Sequence, residues 1–152
     1  MITTANTPAI EIRPAEERDI TDLARLAGEL GYPSTPEQVR ERFAGFRAAP
    51  DQATFVAVAS GNAVIGWIHL CEARSVESDP RAEITGLVVD SNFRGGGVGR
   101  LLVGRGEDWA LDRGLEIIGV RSNIIRERTH IFYERLGYAV TKTQKVFRKT
   151  LH

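Results

Sequence analysis

The chain has a single cysteine, Cys71, among 152 residues, which excludes an intramolecular disulfide framework. Its three histidines, at 69, 130 and 152, are scattered, and with one cysteine they form no cluster of metal-ligand spacing. No excess of either charge is present: 20 Lys plus Arg stand against 20 Asp plus Glu, which gives no support to a nucleic-acid binder held mainly by charge. No run of about eighteen apolar residues occurs, so no membrane-spanning helix is expected. The start, MITTANTPAI, has neither the basic stretch nor the apolar core of a secretory signal. These absences point to a cytoplasmic setting without metal, nucleic-acid or membrane partners. Internal repeats, low-complexity segments and Ser/Gly/Pro linkers are also missing, and the length suits one core, so residues 1–152 are read as a single domain.

What is present is a regular alternation of periods. Ile10 and Ile12 alternate with charged neighbours as in a half-buried strand that Pro14 ends. A helix from Glu16 to Glu29 places Ile20, Leu23, Ala24, Ala27 and Leu30 on one stripe, with Gly31 as its stop. Thr35, Pro36 and Gln38 have the order of a cap, a first helical proline and a capping-box partner, so a second helix runs from Pro36 to about Ala48. Thr54–Ala59 and Ala63–Cys71 flank Ser60-Gly61-Asn62 as an antiparallel hairpin. Strands over Ala82–Asp90, Leu115–Val120 and Tyr138–Phe147 alternate with helices over Gly97–Asp112, with an inward stripe of Val98, Leu101, Leu102, Trp109 and Ala110, and over Arg126–Leu136. The order β-α-α-β-β-β-α-β-α-β implies a mixed sheet covered by helices, an α/β or α+β fold.

The chemistry-bearing segment runs from Val88 to Leu102. A buried strand enters a polar turn, then Arg94-Gly95-Gly96-Gly97-Val98-Gly99-Arg100, then an apolar helix. Glycines admit positive φ and close approach of a bulky group. The first N–H groups of the helix lack internal partners and can hold anionic oxygens, aided by the helix dipole. Arg94 and Arg100 add positive charge at the rim. A P-loop is excluded because no Gly-Lys-Ser/Thr occurs, and a dinucleotide fingerprint starting at Gly97 fails at Leu102. The plain alternative is a tight glycine turn without a ligand.

Arg94-Gly-Gly-Gly97-Val-Gly99 fits Arg/Gln-x-x-Gly-x-Gly/Ala, the signature of the Gcn5-related N-acetyltransferase superfamily, and follows Ile84-Thr-Gly-Leu-Val-Val-Asp90 in the expected place. Asn123 and Arg128-Thr-His-Ile-Phe-Tyr-Glu-Arg-Leu-Gly-Tyr138 resemble the family's C-terminal pattern. The resemblance covers the element order of essentially the whole chain and is specific from about Glu83 to Tyr138. It implies the acyl-coenzyme A N-acyltransferase fold, a mostly antiparallel mixed sheet flanked by helices. It also implies transfer of acetyl from acetyl-coenzyme A to an amine by direct attack in a ternary complex. Backbone groups of Leu87, Val88 and Val89 would hold the pantetheine arm, with Asn123 beside it. The N–H groups from Arg94 through Gly95, Gly96, Gly97, Val98 and Gly99 to Arg100 would hold the pyrophosphate. A homodimer is the expected assembly, and the acceptor is a small-molecule or protein amine. A non-catalytic acyl-coenzyme A sensor or a protein-interaction domain is the alternative.

Amide formation needs a deprotonated amine, stabilisation of charge on the carbonyl oxygen, and a protonated leaving sulfur. By the resemblance, Tyr133 protonates the sulfur, Glu83 is the base, and the N–H of Val89 or Val88 faces the oxyanion. The competing readings are an ordinary semi-buried aromatic for Tyr133, with Phe132 and Leu136 in the core, and a solvated strand end for Glu83. His69 shares a strand face with Trp67 and either lines the acceptor pocket or is a partly exposed strand residue. His130 reads as a capping or cofactor-contacting residue, and Cys71 as a small strand residue. Tyr32, Phe43 and Phe46 on the N-terminal helical hairpin are pocket lining or plain core.

Overall fold

The computed structural model describes residues 9–122 and 126–152. Their contacts divide the chain into two compact units, Met1–Val120 and Arg121–His152. The first carries β1 (Glu11–Pro14), α1 (Ile20–Leu30), α2 (Pro36–Phe46), β2 (Gln52–Ala59), β3 (Ala63–Ala73), β4 (Arg81–Val89), α3 (Val98–Asp112) and β5 (Ile118–Val120). The five strands form one sheet in sequence order. β1 to β4 are successively antiparallel, and β5 joins β4 in parallel.

The local signals for these elements operate as expected. Thr35 accepts from the Gln38 amide while Gln38 reaches back to the Thr35 amide, with Pro36 in the first turn of α2. Gly61 and Asn62 turn the β2–β3 hairpin with positive φ. Leu23 and Leu26 of α1 pack on Val56, Val58, Val64 and Val88, one face of the sheet. Leu26 is fully buried although the expected stripe omits it, while Ala27 and Leu30 are only half-buried. Arg13 forms a two-pronged pair with the buried Asp19 at 2.7 and 2.8 Å, which fixes the entry to α1.

α3 lies against the other face. Its buried positions are Val98, Leu102, Val103, Gly106 and Ala110, whereas Leu101, expected inside, is 46% exposed. A fourfold ladder, 98-102-106-110, fills the contact, and Leu101 falls on its flank. Gly106 belongs to that ladder because a Cβ there would stand 2.8 Å from Leu70 Cδ2 and 3.4 Å from Ile68 Cδ1. The helix approaches β3 at the distance a glycine permits.

The second unit carries α4 (Glu127–Arg135), closed by Gly137 at φ 93°. The strand expected over Tyr138–Phe147 is not formed among the described residues, where positions 138–152 carry no strand. Val140, Val146 and Phe147 are 76–89% exposed. Alternation gives this segment strand character, but a strand exists only with a partner edge.

Candidate active site

Two devices shape the glycine turn. The Asp90 carboxylate accepts from the Asn92 amide at 3.0 Å and from Arg25 at 2.9 Å, and Arg25 also donates to the Val64 carbonyl at 3.0 Å. These partners, the Asn92 amide first and then Arg25, hold the Asp90 carboxyl below its ordinary pKa. The turn is thereby tied to α1 and to the sheet. Gly95 and Gly97 then take φ of 83° and 84°, in the left-handed region, and Gly97 is the N-cap of α3. The first amide to turn back into the helix is that of Leu101, donating to the Gly97 carbonyl. The amides of Val98, Gly99 and Arg100 precede it and have no partner within the helix. Arg94 and Arg100 are exposed beside them, and Arg94 Nε donates to the Val89 carbonyl at 3.2 Å. This arrangement suits a polyanion.

Beyond Ile84, the strand that feeds the turn has no partner on its β5 side among the described residues. Parallel pairing of β4 with β5 runs from Ala82–Ile118 to Ile84–Val120, and no further pair continues it among the described residues. On the other side the register passes from Gly86–His69 to Ile84–Leu70, which leaves Thr85 as a bulged residue. The Asp90 amide donates to the Ile65 carbonyl at 2.7 Å, toward β3. Backbone groups alternate in direction along a strand, so Val88 also faces β3, while Leu87 and Val89 face the open edge. The polar groups on that edge therefore come from Leu87 and Val89. The Val88 amide belongs to the sheet.

On the α1–α2 face, a cavity of about 450 Å³ is walled by both helices and by β2, β3 and β4. Phe43, Phe46, Trp67 and Tyr32 give it an aromatic lining, and Thr85 and Gly86 bring it to the edge of β4. The Trp67 indole N–H donates to the Leu23 carbonyl at 3.2 Å, and the ring lies where a Cβ on Gly86 would stand, 2.7 Å from it. His69 belongs to this wall. Nδ1 is 2.7 Å from Thr54 Oγ1, Nε2 is 3.0 Å from Gln52 Oε1, and the Phe46 ring lies 4.4 Å away. Burial lowers its pKa to about 4, so the ring is neutral at physiological pH. With both nitrogens hydrogen-bonded, His69 stands as a neutral residue of the cavity wall.

Glu83 stands opposite Cys71, on the sheet face of Trp67 and His69, but outside the cavity lining. Its carboxylate accepts from Arg81 at 3.1 and 3.3 Å. In the second unit, Tyr133 is the buried residue of α4, 7% exposed, while Phe132 and Leu136, expected in the core, are half-buried. The Tyr133 ring packs against Phe132 and Tyr138, and burial raises its pKa to about 12. His130 lies in the first turns of α4 and is half-buried. Asn123 lies outside the described residues. Among the described residues, no three His, Cys, Asp or Glu groups could hold a metal together, and no helix is long and apolar enough to cross a membrane.

Sequence reasoning did not single out Asp90, Arg25 or Arg42. Asp90 follows a strand and precedes a Ser-Asn turn, which is an Asx-cap signal. Arg25 acts through Asp90 and Val64, far along the chain, while Arg42 of α2 lines the cavity and donates to Ser34; neither carries a local mark.

A mixed sheet whose parallel pair parts beside a glycine-capped helix defines the acyl-coenzyme A N-acyltransferase class of fold. Residues 18–138 match the acetyltransferase (GNAT) family, and the chain belongs to that family. A mycothiol acetyltransferase of Propionibacterium freudenreichii is 32% identical over 109 residues, 72% of this chain and 34% of that protein. An uncharacterized N-acetyltransferase of Methanocaldococcus jannaschii is 35% identical over 72 residues, 47% of this chain and 30% of that protein. The matches thus span about a third of each relative's length. An aminoglycoside N-acetyltransferase solved in complex with CoA shares the fold with a TM-score of 0.85 at 18% identity, covering 98% of this chain and 100% of that one. A glucosamine-6-phosphate N-acetyltransferase of Arabidopsis thaliana gives 0.79 at 21% identity, covering 92% and 98%.

Proposed function

We propose that the protein transfers the acetyl group of acetyl-coenzyme A to an amine by direct attack in a ternary complex. The observation that carries this reading is the continuity of three features on β4: the cavity wall at Thr85 and Gly86, the open edge at Leu87 and Val89, and the amide cradle at the start of α3. The donor supplies an acetyl thioester. Leu87 and Val89 hold its arm by backbone hydrogen bonds along the open edge. The amides of Val98, Gly99 and Arg100, with the turn from Arg94 to Gly97, hold its pyrophosphate. The Val89 N–H donates to the carbonyl oxygen as negative charge develops there.

The acceptor nitrogen bonds to the acetyl carbon while the carbon–sulfur bond breaks. The amine proton passes to Glu83, through water because the carboxylate is held by Arg81 outside the cavity. Tyr133, assigned by the family resemblance, donates its phenolic proton to the departing sulfur and is reprotonated from solvent as the thiol leaves. Asn123 is assigned beside the pantetheine on the same basis. A homodimer fits the exposed apolar residues Val140, Val146 and Phe147, and light scattering tests it: monomer at all working concentrations would exclude it.

Calorimetric titration with coenzyme A, followed by thiol release from acetyl-coenzyme A in the presence of amines, tests the reading. Gly97→Val forces a β-branched residue to φ 84° and is expected to weaken coenzyme A binding about 10- to 100-fold, the loss of one or two charge-assisted hydrogen bonds. Unaltered affinity in the folded variant would remove the cradle. Binding without turnover of any amine would leave a sensor.

A further inference from the structure

We propose that the acceptor is an amine with an aromatic or branched apolar body and one carboxylate, which Arg42 receives, and that polycationic amines are poor acceptors. The inference rests on the acetyltransferase reading and specifies the acceptor class of the same site. The wall of the cavity contains no Asp or Glu among the described residues. His69 contributes no charge, since burial keeps it neutral and both ring nitrogens are engaged. A polyamine or amino sugar with several ammonium groups would shed water there with nothing to neutralise it, which is strongly unfavourable. The aromatic faces of Phe43, Phe46 and Trp67 tolerate a single ammonium before deprotonation and otherwise select apolar surface.

Among the described residues, Arg42 is the one cationic side chain in the lining. Its guanidinium donates to Ser34 Oγ at 2.9 Å, and no ion pair with a carboxylate engages it among the described residues. A hydroxyl partner positions the group and leaves its charge available, and the planar fork matches a carboxylate. An acceptor whose amine points to the β4 edge and whose acid group meets Arg42 engages both the Thr85–Gly86 wall and the cationic residue of the lining.

Four amines separate the possibilities: phenylalanine, phenylalanylglycine (whose carboxylate reaches one residue farther), phenethylamine without a carboxylate, and spermidine. Binding is read first without coenzyme A, by fluorescence of Trp67 in a Trp109→Phe background, since these are the two tryptophans of the chain. At least one carboxylate-bearing amine is expected to change Trp67 emission saturably, and spermidine is not. In thiol-release assays its kcat/KM should exceed that of spermidine by tenfold or more, and Arg42→Gln should lower it about 10- to 100-fold, a larger factor than for phenethylamine. A preference for spermidine, an equal loss for all amines in Arg42→Gln, or no Trp67 response to either acid would overturn the proposal. Absence of coenzyme A binding in calorimetry would instead remove the acetyltransferase reading, and the fluorescence result judges the cavity independently.

Discussion

Gly104 and Gly106 lie about two turns into α3, two residues apart, and their replacement by alanine should change stability in opposite directions. Glycine inside a helix costs about 1 kcal/mol relative to alanine. At Gly104 a Cβ meets nothing within 4 Å, so Gly104→Ala should stabilise by up to about 1 kcal/mol. At Gly106 the same atom arrives 2.8 Å from Leu70 Cδ2, and Leu70 and Ile68 are fully buried. A separation near 3.6 Å requires a shift of about 0.8 Å in a close-packed layer, which costs about 1–3 kcal/mol. After subtracting the gain in propensity, Gly106→Ala should destabilise by up to about 2 kcal/mol. Urea unfolding of both variants measures the difference, with the midpoint moving up for one and down for the other at similar slope. If α3 is pushed off β3, its N-terminal cradle moves too, so Gly106→Ala should also weaken coenzyme A binding while Gly104→Ala does not. Equal stabilisation by both substitutions would refute the close approach of α3 to β3.

Two further outcomes follow from the proposed chemistry. Tyr133→Phe should lower kcat about 10- to 1000-fold, as expected for loss of a general acid, with coenzyme A affinity nearly intact; wild-type turnover would remove the acid role. Glu83→Gln should lower kcat/KM most below the solution pKa of the amine, where neutral amine is scarce, and a pH profile parallel to wild type would remove the base role.

The parts of this architecture legible in the sequence are those fixed by neighbours along the chain. The capping box of α2 needs three residues, and the Gly61-Asn62 turn needs two, so both are written locally. The glycine turn into α3 is equally local, since strand, glycines and helix start are contiguous. Features set by distant partners were not legible. Gly106 has no hydropathy to place it inside, and its position is decided by Leu70, thirty-six residues earlier. The bulge at Thr85 depends on the register with β3 and not on any property of threonine. The cavity draws its lining from five separate elements, so aromatic residues on α2 and a histidine on β3 meet without any recognisable spacing. The segment 138–147 alternates like a strand, yet alternation describes a face and does not supply an edge to pair with.

His69 connects the cavity to folding in a way that pH can read. Its folded pKa is depressed to about 4 by burial, against about 6.5 in an unfolded chain. Between these values the unfolded state binds one more proton than the folded state, so stability rises with pH across this window. The contribution is complete above about pH 6.5, falls as the solution is acidified through the window, and levels off below about pH 4. Its full size is about 3 kcal/mol, from 2.5 units at 1.36 kcal/mol each. His69→Gln retains a hydrogen-bonding side chain between Thr54 and Gln52 but cannot titrate. The variant is expected to be less stable than wild type at pH 7.5 through looser packing against Phe46, with the difference shrinking as pH falls from 6.5 to 4. Urea midpoints at half-unit pH intervals measure it. Parallel stability profiles for the two proteins would show that the imidazole is not held neutral in the cavity wall.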